Sequence, residues 1–255
     1  MFKAIRVALL LFILFLIAGV AWVTKYRALK WDTPLDVVIY PINADNSEVT
    51  RAYLAELRQE NFQPIATMMR DEAKRYGVAS VEPIRVWLAP EIDAMPPLPV
   101  SGGNVFSVMM WSLKLRYWAS QHDQFSGNKP NIRLFALYHD PARRHSLAHS
   151  LGLEKGMLGV ANVFASRRQD GGNNVVLAHE MLHTLGATDK YDLQTALPLF
   201  PGGFAEPEKN PRFPQEFAEL MGGRVPLSEA HAEIPEDLSF CMVGAATARE
   251  LRWVK

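Results

Sequence analysis

Apolar residues recur along this chain with two spacings, and the switches between them predict its elements. Residues 36–41, Asp-Val-Val-Ile-Tyr-Pro, form a short apolar run that reads as a first strand ended by proline. Ser47 or Asn46 can cap a helix over residues 48–62, with Val49, Tyr53, Leu54 and Leu57 on one face. Helical spacing resumes over residues 64–76 and stops at Gly77. Residues 84–88 alternate as a second strand, and the proline- and glycine-rich residues 89–104 read as a long loop. Residues 106–120 read as a helix whose Trp111, Tyr117 and Trp118 belong to the core. Residues 131–138 and 156–166 read as the third and fourth strands. An uninterrupted apolar helix follows, with Val175, Val176, Leu177, Met181, Leu182 and Leu185. Gly172, Asn173 and Asn174 are its start signals and Gly186 its stop.

Strands alternating with helices imply an α+β domain: a mixed, mostly parallel sheet with helices packed on it. After Asp192 the chain is rich in proline and glycine, from Pro198 to Pro214, and a last helix is expected near residues 247–253. That stretch reads as a loop-rich lower part. Residues 7–23 are uncharged and mostly Leu, Ile, Phe, Val and Ala. As a helix they would span roughly 25 Å, the short end of a membrane crossing. Lys3 and Arg6 precede this run, and Lys25, Arg27 and Lys30 follow it. We read residues 1–30 as one N-terminal transmembrane anchor with its flanks, and residues 31–255 as one domain outside the cytoplasm.

Charge narrows the partners. Basic and acidic residues balance at 27 each, so nothing favours nucleic acid. The single cysteine, Cys241, excludes an intrachain disulfide framework and a cysteine-based zinc site.

The chemistry concentrates in the apolar helix. His179, Glu180 and His183 spell H-E-x-x-H, extended by Gly186 and Asp189 to H-E-x-x-H-x-x-G-x-x-D. Positions four apart share one helix face, so two imidazoles can hold one metal ion, while Glu180 can reach water beside it. Solvated surface histidines would not sit in an otherwise apolar helix, and buried imidazoles need partners. A third ligand six residues beyond His183 requires the chain to turn back, and Gly186 can take the left-handed conformation for that turn. His179, His183 and Asp189 then leave a fourth position for water, the arrangement of a catalytic Zn²⁺.

These residues resemble the metzincin clan of zinc peptidases, whose long motif carries histidine where this chain has Asp189. The aspartate form is similar to the snapalysin type, and residues 183–192 resemble the immune-inhibitor-A peptidases, with their G-x-x-D-x-Y-D ending. The resemblance covers about fourteen residues and is architectural elsewhere. It implies a metzincin-like zincin with helices above a zinc cleft, and peptide hydrolysis. It also implies an edge strand before the motif helix, here residues 159–165, that pairs with extended substrate. A methionine turn should lie below the metal. Met221 is preferred to Met242 because Gly222 and Gly223 follow it and suit a tight turn.

Other residues compete for roles. Glu206, Glu208, Glu216 and Glu219 are alternative third ligands, with residues 214–219 as a helix that could supply one. Asp192 is either an acceptor that orients a histidine or a turn aspartate, and Tyr191 is a candidate oxyanion donor. His145 and His149, with His139 and Asp140 upstream, could form a second metal site. The sequence thus points to a membrane-anchored zinc peptidase using Glu180 as general base, with a peptide or protein substrate. A zinc hydrolase of small amides or esters, or a non-catalytic zinc-stabilised binding domain, remain the alternatives.

Overall fold

The computed structural model describes residues 26–98, 105–144, 146–147, 150–153 and 157–254, together with Arg6, Phe12, Gly19 and Val23. Its centre is a five-stranded sheet in the order β2-β1-β3-β5-β4. The strands are β1 (Leu35–Asn43), β2 (Ile84–Leu88), β3 (Ile132–His139), β4 (Leu151–Leu153) and β5 (Leu158–Phe164). All pairings are parallel except that of β4 with β5. The sheet is mixed and mostly parallel, as the pattern predicts.

Strand alternation gives the sheet two apolar faces. Val37, Ile39, Leu134, Ala136, Ala161 and Val163 face one way, toward α1 (Glu48–Glu56), α2 (Gln63–Arg75) and the motif helix α4 (Asp170–Leu185). Val38, Tyr40, Phe135, Leu137 and Val160 face the other, under α3 (Val105–Gln121). Each fully buried Leu, Ile or Phe of such a core contributes about 1.5–3 kcal/mol.

The local signals act where they are placed. Ser47 caps α1 by accepting from the Thr50 N–H at 3.0 Å. Pro64 stands in the first turn of α2, where its missing N–H costs nothing. The expected helix over residues 48–62 is in fact broken at Leu57, and a short 3₁₀ turn, Gln59–Phe62, leads into α2. Pro41 does not end β1. Its nitrogen faces the β2 side beyond the last pair, Ile39 with Leu88, so no ladder bond is lost.

Three further expectations are corrected. The strand before the motif helix is not the sheet edge: β3 lies along one side of β5, and β4 covers Leu158–Val160 on the other. The edge on this side is β4, whose three residues are too short to register as a pattern. Tyr117 is not in the core. It stands 69% exposed on the outer face of α3, while Trp111 is buried against the sheet. Residues 214–219 form no helix; Ala218–Glu219 is a two-residue strand, β6, paired with β9 (Cys241–Met242).

The lower part is loop-rich. Besides β6 and β9 it holds one small hairpin, β7 (Val225–Pro226) with β8 (Ala232–Glu233), and the closing helix α5 (Ala245–Glu250). Among the described residues no helix is long and apolar enough to cross a membrane. The proposed anchor, residues 7–23, lies outside the described residues apart from Phe12, Gly19 and Val23. Residues 99–104 of the expected long loop also lie outside them.

Candidate metal centre

The motif helix is pinned at both ends. It begins at Asp170, earlier than its asparagines suggest, and those asparagines serve as ties instead. Asn173 bonds both the N–H and the carbonyl of Phe164, at 3.0 and 2.8 Å, and so clamps α4 to β5. Asn174 donates to the Asn61 carbonyl. At the other end Gly186 takes φ 102° and ψ 12°, and its N–H closes the helix onto the His183 and Leu182 carbonyls. The Ala187 N–H also reaches Leu182, at 3.0 Å. This left-handed stop reverses the chain, as the motif predicts.

The reversal brings three side chains together. Asp189 Oδ1 lies 3.1 Å from His179 Nε2 and 3.1 Å from His183 Nε2. The two Nε2 atoms are 3.0 Å apart, with the rings edge to face. The other nitrogen of each ring is committed. His179 Nδ1 meets the Leu220 carbonyl at 2.9 Å, and His183 Nδ1 meets the Ala187 carbonyl at 2.8 Å. Carbonyls only accept, so each Nδ1 carries a hydrogen. In the neutral imidazole each Nε2 is then a bare lone pair. Two lone pairs and a carboxylate oxygen thus converge on one small space. A single proton can relieve one of these contacts but not all three; one divalent cation relieves all of them. Donors each about 2.0–2.1 Å from a shared zinc stand about 3.0–3.5 Å apart, so the donor set and its separations fit that ion.

Electrostatics report the same convergence. Burial works against a charge on His183, but Asp189, Glu180 and the Ala187 carbonyl outweigh it and raise its pKa. Burial likewise opposes ionisation of Asp189, but the two imidazoles hold its carboxyl well below the usual range. Glu180 is 5% exposed, and burial pushes its pKa up against the pull of both histidines. Its Oε2 is buried and has no hydrogen-bond partner among the described residues. His179, Glu180 and His183 offer ligand atoms within 4.8 Å of one another. We assign Asp189, not Glu180, to the inner set because its oxygen is the one 3.1 Å from both nitrogens.

The remaining candidates separate clearly. Met221 is fully buried in a tight turn, where the Gly222 and Gly223 N–H groups return to the Glu219 carbonyl at 2.8 and 2.9 Å. A Cβ at Gly222 would come 2.4 Å from the Gly203 carbonyl oxygen, so this turn closes only with glycine there. Met242 is half-buried in β9, where its carbonyl accepts from the Leu220 N–H. Tyr191 stacks obliquely near His179, with ring centroids 6.3 Å apart. Burial first, then the Asp189 charge, push its phenol up to about 12. Asp192 turns away from the histidines: its carboxylate accepts from the Gln194 and Thr195 N–H groups, and it is a turn aspartate.

Three of the rival glutamates are engaged elsewhere, and the fourth, Glu208, is exposed. Glu216 is exposed and pairs with Lys209, and Glu206 accepts from the Glu216 N–H. Glu219 is fully buried, but it accepts from Gly222, Gly244 and Thr247 and ties the lower turns together. Of the suggested second metal group, His145 and His149 lie outside the described residues. His139 bonds Asn162 Oδ1 at 3.0 Å, and Asp140 caps the Ala142 N–H. A cleft of about 670 Å³ lined by Glu60, Asp71, Asp170 and Asp237 contains none of the motif residues.

Sequence reasoning missed the two groups that fix the histidine rings, the carbonyls of Leu220 and Ala187, because carbonyls carry no residue-type signal. No protein-family model matches the chain, and no curated protein matches it.

Proposed function

We propose that this chain is a membrane-anchored, zinc-dependent peptidase, with His179, His183 and Asp189 as the metal ligands and Glu180 as the general base. The observation that carries this reading is the convergence of three acceptor atoms at 3.0–3.1 Å, with both Nδ1 atoms already committed to carbonyls. When bound, zinc lowers the pKa of a coordinated water and polarises a carbonyl. Glu180 would take the proton of the attacking water on its carboxylate and return it to the leaving amine. Burial raises the basicity of that carboxylate and so suits it to the task. Tyr191 keeps its proton at neutral pH and provides a hydrogen-bond donor beside Asp189.

Peptide is favoured as substrate by the sheet edge at β4, the strand paired with β5. An extended chain can add to such an edge through main-chain hydrogen bonds. The sheet above, the loop-rich part below and the buried Met221 turn agree with the resemblance to metzincins carried by residues 179–189. The uncharged residues 7–23 support the anchor, with the domain outside the cytoplasm.

A peptide library and a panel of small amides and esters, offered to the zinc-loaded protein, test the activity. Cleavage of the peptides supports the peptidase reading; turnover of only the small substrates replaces it. Full zinc occupancy without hydrolysis of either would leave a binding domain. N-terminal sequencing of membrane-fraction protein, with a reporter fused after Lys255, tests the anchor. A mature soluble chain beginning near Trp22 would make it a removed signal.

A further inference from the structure

We propose that Glu250, on the last helix, is the positioning residue for Asp189. This rests on Asp189 being a metal ligand. Asp189 follows the helix stop and belongs to no helix or strand, so its place is set by its neighbours. Both neighbours are held by one carboxylate. Glu250 Oε1 accepts from the Thr188 hydroxyl at 2.7 Å, and Oε2 accepts from the Thr188 N–H at 3.1 Å. Glu250 Oε2 also pairs with Lys190 Nζ at 2.7 Å. The Lys190 ammonium donates in turn to the Thr188 carbonyl at 2.8 Å and closes the clamp around Asp189.

The clamp is itself rigid. The Lys190 N–H donates to the Met221 carbonyl at 2.9 Å, and its carbonyl accepts from the Leu199 N–H at 2.7 Å. The α5 helix that carries Glu250 is fixed by Thr247, which donates to buried Glu219 at 2.6 Å, and by Leu251, whose carbonyl accepts from the Trp31 indole at 2.8 Å. Lys190 is only 8% exposed, and among the described residues Glu250 is its one carboxylate partner. Without Glu250 a buried cation would stand unpaired next to a ligand for another cation. Looser geometry and uncompensated charge both act against metal binding, so the two effects add.

A double-mutant cycle on zinc affinity, measured on the full chain by competition with a chelator, tests this. Glu250→Ala should weaken zinc binding by about 10–100-fold, the range for groups that orient ligands. In an Asp189→Ala background the same change should cost much less, because the geometric effect runs through Asp189 and only the uncompensated Lys190 charge remains. Glu250→Gln keeps the acceptors for Thr188 and should recover part of the loss. The Co²⁺-substituted protein should show an altered absorption spectrum for Glu250→Ala. An equal loss in both backgrounds, or none in either, would overturn the proposal while leaving the metal site intact. A wild-type chain that takes up no zinc would overturn the metal reading itself, and the clamp with it. Should Glu250→Ala fail to fold, Thr188→Val removes only the hydroxyl's contacts, to Glu250 Oε1 at 2.7 Å and from Lys190 Nζ at 3.3 Å. It should still weaken zinc several-fold, and wild-type affinity there would overturn the proposal equally.

Discussion

His179 Nδ1 donates to the Leu220 carbonyl over 2.9 Å, and this bond joins the motif helix to the turn that holds Met221. It fixes the ring's tautomer, so Nε2 presents its lone pair to the site. Leu220 is itself held. Its N–H donates to the Met242 carbonyl, and the next carbonyl, of Met221, accepts from the Lys190 N–H. The Leu220–Met221 turn therefore orients the His179 ring directly and braces the loop that carries Asp189.

Glu180→Gln should leave zinc bound and reduce hydrolysis by about 10²–10⁴, the usual loss of one general base. The amide occupies the same buried space but cannot take a proton from water. Metal analysis and turnover on the same preparation check this. Wild-type turnover at full occupancy would mean that another group is the base.

Asp189→Ala should weaken zinc binding strongly, whereas Glu216→Ala should leave it unchanged. The Asp189 oxygen is 3.1 Å from both imidazoles, while Glu216 is exposed and paired with Lys209. Isothermal titration of both variants decides the matter, and the opposite ranking would move the third ligand to a later segment.

The convergence of His179, His183 and Asp189 was legible in the sequence because the three residues are local. His179 and His183 are one helical turn apart, and Gly186 announces the reversal that returns Asp189. The sheet was legible because β1, β3 and β5 are long apolar runs buried on both faces. What escaped depends on residues far apart in the chain. The β4 edge is three residues long, and the faces of α3 are apolar both inside, at Trp111 and Leu115, and outside, at Phe106 and Tyr117. Periodicity cannot choose between two such faces, and Tyr117 was misplaced for that reason. Glu219 looked like a ligand because it is a glutamate downstream of the motif. Its partners, Gly244 and Thr247, became visible only in three dimensions.

Gly186→Ala should destabilise the protein, and Gly172→Ala should not. Alanine at φ 102° costs about 1–2 kcal/mol, which corresponds to a fall of roughly 2–8 °C in melting temperature for a domain of this size. Gly172 is within the helix, and a Cβ there meets nothing within 4 Å, so alanine should raise the melting temperature slightly. Thermal unfolding of both variants without metal separates backbone strain from ligand loss. Equal shifts would show that the turn does not need glycine.

Acid should loosen the β1–β3 corner only as pH falls below the ordinary aspartate value of 3.8 toward about 2. Asp45 accepts from the Asp140 N–H at 2.7 Å and from the Ser47 N–H and Thr50 hydroxyl at 3.0 Å, joining the ends of these two strands. Burial works against its ionisation, but these donors prevail and lower its pKa from 3.8 to about 2. Because the folded value is the depressed one, the stabilisation is fully present above pH 3.8 and disappears as pH falls through about 2. Asp45→Asn removes the charge at every pH. The variant should be less stable than wild type at pH 7, and the gap should close between pH 4 and pH 2. Melting temperatures measured across that interval provide the check. Parallel curves for the two proteins would mean that the Asp45 charge contributes nothing to this corner.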